Sequence, residues 1–151
     1  LHIENSFSWV RGSLRKEQDG SKNLPNIPAA RLINEIKVDF LAKGRHFKNG
    51  FVQLELDNTF PQKTPFLGYN TETSTPGYSL LNAGFGIDLF SNNKKILTVF
   101  FAGNNLTDVA YQNHLSRLKY APENLATGRR GVFNMGRNFS FKINVPVDFK
   151  K

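Results

Sequence analysis

Apolar and polar residues alternate with a period of two along six stretches of the chain, and helical periodicity is weak throughout. In the first stretch Ile3, Phe7 and Trp9 share one face, and His2, Glu4, Ser6 and Ser8 the other. In the second, Leu32, Ile36, Val38 and Phe40 oppose Glu35, Lys37 and Asp39. In the third, Val52, Leu54, Leu56 and Phe60 oppose Gln53, Glu55 and Asp57. In the fourth, Leu81, Ala83, Phe85, Ile87 and Leu89 oppose Asn82, Gly84, Gly86 and Asp88. The fifth, Ile96 to Asn105, sets Leu97, Val99 and Phe101 against Thr98, Phe100, Ala102 and Asn104. The sixth is the cleanest: Phe139, Phe141, Ile143, Val145, Val147 and Phe149 oppose Ser140, Lys142, Asn144, Pro146 and Asp148. The pattern predicts an all-β chain of about six long antiparallel strands in a meander.

Each stretch is roughly ten residues long, against ~5–6 for an average soluble strand. At ~3.3 Å per residue and a tilt near 45°, ten residues cross the ~25 Å apolar band of an outer-membrane barrel. The connections alternate in length. Lys16 to Ala30, Gln62 to Gly77 (after Pro61, with Pro65 and Pro76) and Val109 to Asn138 are long. Lys43 to Gly50 is shorter, and Ser91 to Lys95 is a tight turn. Such barrels carry long loops outside and short turns on the periplasmic side. Strands one, three and five are therefore expected to run outward, and two, four and six inward. The polar face, with Glu35, Lys37, Asp39, Glu55, Asp57 and Lys142, would then line a lumen. Pro146 lacks a ladder donor and suits an edge strand.

Composition sharpens this picture. Only 39% of residues are hydrophobic, yet 14 are Phe, a mixture suited to a sheet with one apolar and one wet face. The longest apolar run, Ile96 to Gly103, is broken by Thr98 and is too short for the ~18 residues of a helical span. Cysteine is absent, which excludes disulfides and thiolate metal sites. The chain opens on Leu1, its one methionine is Met135, and no signal peptide is visible; a processed product or a piece of a longer protein is expected. The net charge is +8, but the basic residues are scattered over turns and loops without a stripe, so nucleic acid is not an expected partner.

Three short motifs are more specific. Gly103-Asn104-Asn105-Leu106-Thr107-Asp108, followed by Tyr111, resembles the Asn-Leu-Phe-Asp…Tyr signature in the penultimate strand of TonB-dependent receptors, with Thr107 in place of Phe. His114-Leu115-Ser116-Arg117-Leu118-Lys119-Tyr120 resembles the His-Leu-Ser-x-Leu-Lys stretch in the last extracellular loop of some of them. Gly136-Arg137-Asn138-Phe139 resembles their entry to the final strand, and the terminal aromatic Phe149 is similar to their assembly signal, although Lys150 and Lys151 follow it. The resemblance implies that residues 1–151 are the C-terminal segment of a transmembrane barrel of ~22 strands, with the N-terminal plug domain absent from this chain. It implies a multi-pass protein of the cell outer membrane that takes up a scarce nutrient, an iron or other metal chelate. Its partners would be TonB and the plug, the barrel-assembly machinery acting on the last strand, and lipid and lipopolysaccharide.

No catalytic motif is present, so neither an enzyme nor a cofactor is expected. Gly84-Phe85-Gly86 reads as small lumen-facing residues. His2, His46 and His114 are too dispersed for a metal cluster. His114 has two readings, a zinc or iron-chelate contact in an outer loop, or a histidine packing that loop on the rim. Arg117, Lys119, Arg129, Arg130 and Arg137 are candidate ligand or loop residues. The basic cluster around Arg129, Arg130 and Arg137 suits an anionic ligand, a lipopolysaccharide phosphate or loop ion pairing. Trp9, Tyr78 and Tyr111 fit an interfacial aromatic girdle, a core or a ligand contact. The competing architecture is a soluble lipocalin-like small-ligand barrel, whose apolar residues would face inward.

Overall fold

The computed structural model describes residues 1–147; Phe149, the expected assembly signal, lies outside the described residues, as do Lys150 and Lys151. In chain order the strands are β1 (His2–Ser8), β2 (Ser13–Gln18), β3 (Ser21–Asn23), β4 (Arg31–Phe40), β5 (Phe47–Thr59), β6 (Tyr78–Ser91), β7 (Lys94–Asn104), β8 (Glu123–Asn124), β9 (Arg129–Arg130) and β10 (Asn138–Asn144). Single 3-10 turns occupy Gly68–Asn70 and Arg117–Tyr120. No helix among the described residues is long and apolar enough to cross a membrane.

Six strands form one antiparallel sheet in the order β1-β4-β5-β6-β7-β10, the expected meander. The four inner strands are 10, 13, 14 and 11 residues long, while β1 and β10 have 7 each. The expectation of about ten therefore holds for the interior and not for the margins. Among the described residues β1 and β10 do not pair with each other, so no barrel closes and each has one open edge. The last strand was expected to reach Phe149, but its ladder stops at Asn144, opposite Thr98. Two residues on, Pro146 has no N–H to continue it.

Two small hairpins interrupt connections read from the sequence as plain loops; the first begins at Ser13, ahead of the expected Lys16 to Ala30 loop. β2 and β3 pair around Asp19-Gly20, and β8 pairs with β9. Both residues of the Asp19-Gly20 turn have positive φ, the requirement of a two-residue hairpin turn that follows the strand twist. Asn92-Asn93 does the same between β6 and β7 (φ 48° and 60°), which shortens the Ser91 to Lys95 turn and lengthens both strands.

Burial separates the two faces in an unusual sense. Along β5, Val52, Leu54 and Leu56 are exposed at 48%, 47% and 41%, whereas Asp57 on the opposite face is 5% exposed. On the neighbouring strands Asp88 and Thr98 are buried as well. The sheet thus encloses its wet side and presents its apolar side outward. Phe66 and Leu80 are the buried apolar residues among those described, and no large side chain there is fully enclosed. Among the described residues there is no apolar core of the kind that stabilises a soluble domain of this size.

Candidate functional site

All three long connections emerge at one end of the sheet and are sewn together there by side chains. Glu72 is the hub. Its Oε1 accepts the Asn26 amide N–H at 2.6 Å and its Oε2 the Phe66 amide N–H at 3.0 Å. Glu72 thereby joins the β3–β4 segment to the β5–β6 loop. The β2–β3 hairpin is tied to the same loop, since Asp19 accepts the Tyr69 amide at 2.5 Å and Asn23 donates to the Pro65 carbonyl at 3.0 Å. The third loop, between β7 and β10, enters through His114 and Lys119. Such charge-assisted bonds to backbone amides order loops that have little apolar surface to bury.

His114 is 6% exposed. Its Nδ1 lies 2.9 Å from Thr75 Oγ1 and 3.3 Å from Lys119 Nζ, and its Nε2 is 3.8 Å from Glu72. Lys119 is buried too, donating to Thr75 Oγ1 at 2.9 Å and to the Thr73 carbonyl at 3.4 Å. The Thr75 hydroxyl can accept from Lys119 and donate to Nδ1, which leaves the imidazole proton on Nε2, toward Glu72. Burial, and then the Lys119 charge, push the His114 pKa below its ordinary value, with Glu72 opposing. The ring is held neutral, and its Nδ1 lone pair is occupied by hydrogen-bond donors rather than open to a cation.

The other sequence candidates are placed differently. Arg117 is exposed and, with His114, Glu72 and Tyr120, borders a cavity of about 460 Å³ between the loops. Arg129 and Arg130 are exposed on β9, where the Arg129 guanidinium lies 5.3 Å over the Phe133 ring. Gly131 follows at φ 76°, and a Cβ there would run into the Lys119 carbonyl, so glycine suits the position on both counts. Arg137 is exposed at the mouth of β10, and its amide N–H donates to Asp108 Oδ1 at 2.8 Å. His114 and Lys119 therefore meet in one buried cluster with Arg117 on its outer side, while β9 carries Arg129 and Arg130. His2 instead pairs with Asp39 at 2.9 Å. No group of three or more His, Asp or Glu residues able to hold a metal occurs among the described residues.

Sequence reasoning missed Glu72 and Thr75, and it quoted Asn105 within the Gly103–Asp108 motif without giving it a role. Asn105 is 3% exposed. Its carboxamide accepts the Val109 amide and donates to the Val109 carbonyl, both at 2.9 Å, while its own amide donates to Asn82. It turns the chain out of β7 at φ 50°. For Glu72 and Thr75 no sequence signal existed, because their partners in the other loops lie 39 to 46 residues away.

The wet face is also organised. Glu35, Lys37, Asp39, Glu55, Asp57 and Lys142 share it, as the alternation requires, but most of them have protein partners. Arg31 grips Asp57 bidentately at 2.8 and 2.7 Å. Gln53 donates to Glu35 at 3.0 Å, and Asn82 to Glu55 at 2.7 Å. At the short-turn end Asp88 accepts from Thr98 at 2.6 Å and Asn49 at 2.9 Å, with Lys95 at 3.6 Å. The face also carries apolar side chains: Ile33 and the buried Leu80 flank Asp57 in register, and the rings of Phe51 and Phe100 form an apolar island, 6.3 Å apart, with Lys37 and Lys142 near them. Gly86 leaves the room that the Phe51 ring fills. Comparison with protein-family models, with curated proteins and with solved structures found no match.

Proposed function

We propose that the chain forms part of the wall of an outer-membrane β-barrel, its apolar face against lipid and its polar face toward a lumen. Within that class the reading is the C-terminal segment of a TonB-dependent receptor that imports a scarce nutrient, most simply an iron or other metal chelate. The observation that carries it is the inverted burial, with exposed leucines and valines alternating with enclosed carboxylates and no apolar core beneath. A lipocalin-like barrel needs the reverse, since its ligand cavity is lined by the apolar side chains. Both sheet edges are open, as they must be where further strands continue a larger wall. The motifs at Gly103–Tyr111, His114–Tyr120 and Gly136–Phe139 select the receptor family among barrels. In that role the chain performs no catalysis. The stitched loops form one sector of the outer mouth, and the Phe51–Phe100 island faces the plug.

Cysteine scanning tests the wall. This chain has no cysteine of its own, so nitroxide labels at positions 52 to 57 report cleanly in the whole membrane-inserted protein once any cysteine elsewhere in it is replaced by serine. Labels at 52, 54 and 56 are expected to collide with oxygen dissolved in lipid, and those at 53, 55 and 57 with a water-soluble nickel chelate. The opposite phase, or no alternation, rejects the membrane reading. Transport is tested by deleting the gene and measuring uptake of iron and zinc chelates with and without a protonophore. Uptake that is unchanged for every chelate rejects the receptor assignment.

A further inference from the structure

Where β1 ends and the apolar face meets the outer loops, a groove of about 300 Å³ opens between the β1–β2 segment and the start of the β5–β6 loop. Its apolar lining includes Trp9, Val10, Pro28 and Pro61, and its cations are Arg11 and Lys63. Trp9 and Val10 are 63% and 51% exposed. The loops behind them are already bonded to one another. The Gln62 carboxamide donates to the carbonyls of Ile27 (3.1 Å) and Pro28 (3.4 Å), and the Leu24 amide donates to the Gly12 carbonyl at 3.3 Å. Below the groove the same apolar face continues as Phe7 and Phe60, packed edge to face at 6.4 Å. Neither Arg11 nor Lys63 takes part in an ion pair among the described residues.

We infer that this groove binds the phosphorylated headgroup of an anionic lipid of the outer leaflet, with Arg11 and Lys63 on the phosphate and the acyl chains descending past Trp9, Phe7 and Phe60. The inference rests on the membrane reading above, which places the rim at headgroup level. Charge complementarity selects the occupant. A cation beside an apolar surface open to lipid is matched by a molecule that is anionic at one end and hydrocarbon at the other. A free phosphate would leave Trp9, Val10 and the prolines uncovered. A neutral lipid would leave both cations at the edge of the hydrocarbon without a counter-charge.

The test uses the whole membrane protein in detergent, titrated with bisphosphorylated lipid A and with its dephosphorylated form, and bound lipid is counted by native mass spectrometry. Wild type should retain the phosphorylated lipid, and the Arg11→Gln, Lys63→Gln double variant should bind it roughly 30-fold more weakly at low salt. A Lys43→Gln, Lys94→Gln variant, with both exposed cations at the opposite, short-turn end of the sheet, serves as the control and should bind as wild type does. Equal binding of the two lipids, or an unchanged double variant, overturns the site. Full displacement by inorganic pyrophosphate shows a free-phosphate site instead and overturns it as well. Heat-modifiable mobility on gels and labelling from the lipid phase at position 54 separate the two levels of inference. Where both show a folded, lipid-facing wall and the phosphate has no effect, the groove proposal falls alone; where neither does, both readings fall.

Discussion

A single arginine placed on the apolar face at different depths probes the central claim most directly. Strand β5 has 13 residues, which at ~3.3 Å each and a tilt near 45° gives a height of roughly 30 Å. Its midpoint is Gln53, so in the proposed membrane wall Leu54 would lie one residue, about 2 Å in height, from the middle of the bilayer. Its cross-strand neighbours are Ile36 and Ala83, neither of which can receive a charge. Leu54→Arg is therefore expected to cost the full midplane penalty of about 2–4 kcal/mol, and an arginine in place of Phe60, at the rim, about 0–1 kcal/mol for its charge. Gln53→Arg, adjacent in sequence but on the wet face near Glu35, should be close to neutral. The assay is guanidinium unfolding of the whole protein from phospholipid vesicles, comparing midpoints and slopes. A Leu54→Arg protein as stable as Gln53→Arg, or a penalty that does not fall toward the rim, refutes the assignment of faces.

Three further outcomes follow from the local chemistry. The folded pKa of His114 lies below its unfolded value near 6.5, so in the interval between them the unfolded loops bind more protons than the folded ones. The stability due to the neutral ring is complete above about pH 6.5 and is lost as pH falls through the folded value. The protection of the amides at residues 72–75 and 114–120, measured relative to the intrinsic exchange rate at each pH, should accordingly fall between pH 7.5 and 5, and His114→Gln should abolish the difference. Replacing Asn105 by Leu leaves the amide and carbonyl of Val109 without partners and should cost about 1–3 kcal/mol, read as a lower unfolding midpoint with β10 loosened first. At the Asn92-Asn93 turn, Asn93→Val forces a β-branched residue to positive φ and should cost roughly 1–2 kcal/mol, whereas Asn93→Gly should not destabilise; equal behaviour of the two variants removes the turn assignment.

Much of the architecture was legible because its signal is local. Alternation sets strand against loop residue by residue, and the Asn92-Asn93 and Asp19-Gly20 pairs announce their turns through the few residue types that accept positive φ. The second of these pairs was in plain view, yet the short β2–β3 strands beside it carry too little alternation to stand out from a polar loop. The outer cluster was half legible. His114 and Lys119 were picked out by their motif, but the choice between a metal contact and a loop pin depended on Thr75 and Glu72, which no spacing rule connects to them. Arg129, Arg130 and Arg137, close in sequence, take separate structural roles because a hairpin and a strand entry intervene.

By itself the sequence determined the period of the strands, the approximate length of the inner ones and the chemistry of the tight turns, and with them an antiparallel meander whose long loops share one end. Those properties arise from the residues' own backbone preferences and from the two-residue pleat, and need no distant contact. Only the tertiary structure decided which face is enclosed, where the ladder of β10 stops, and which carboxylate serves as the hub of the loops. Each of those depends on groups tens of residues apart arriving at hydrogen-bonding distance, which a one-dimensional pattern does not encode.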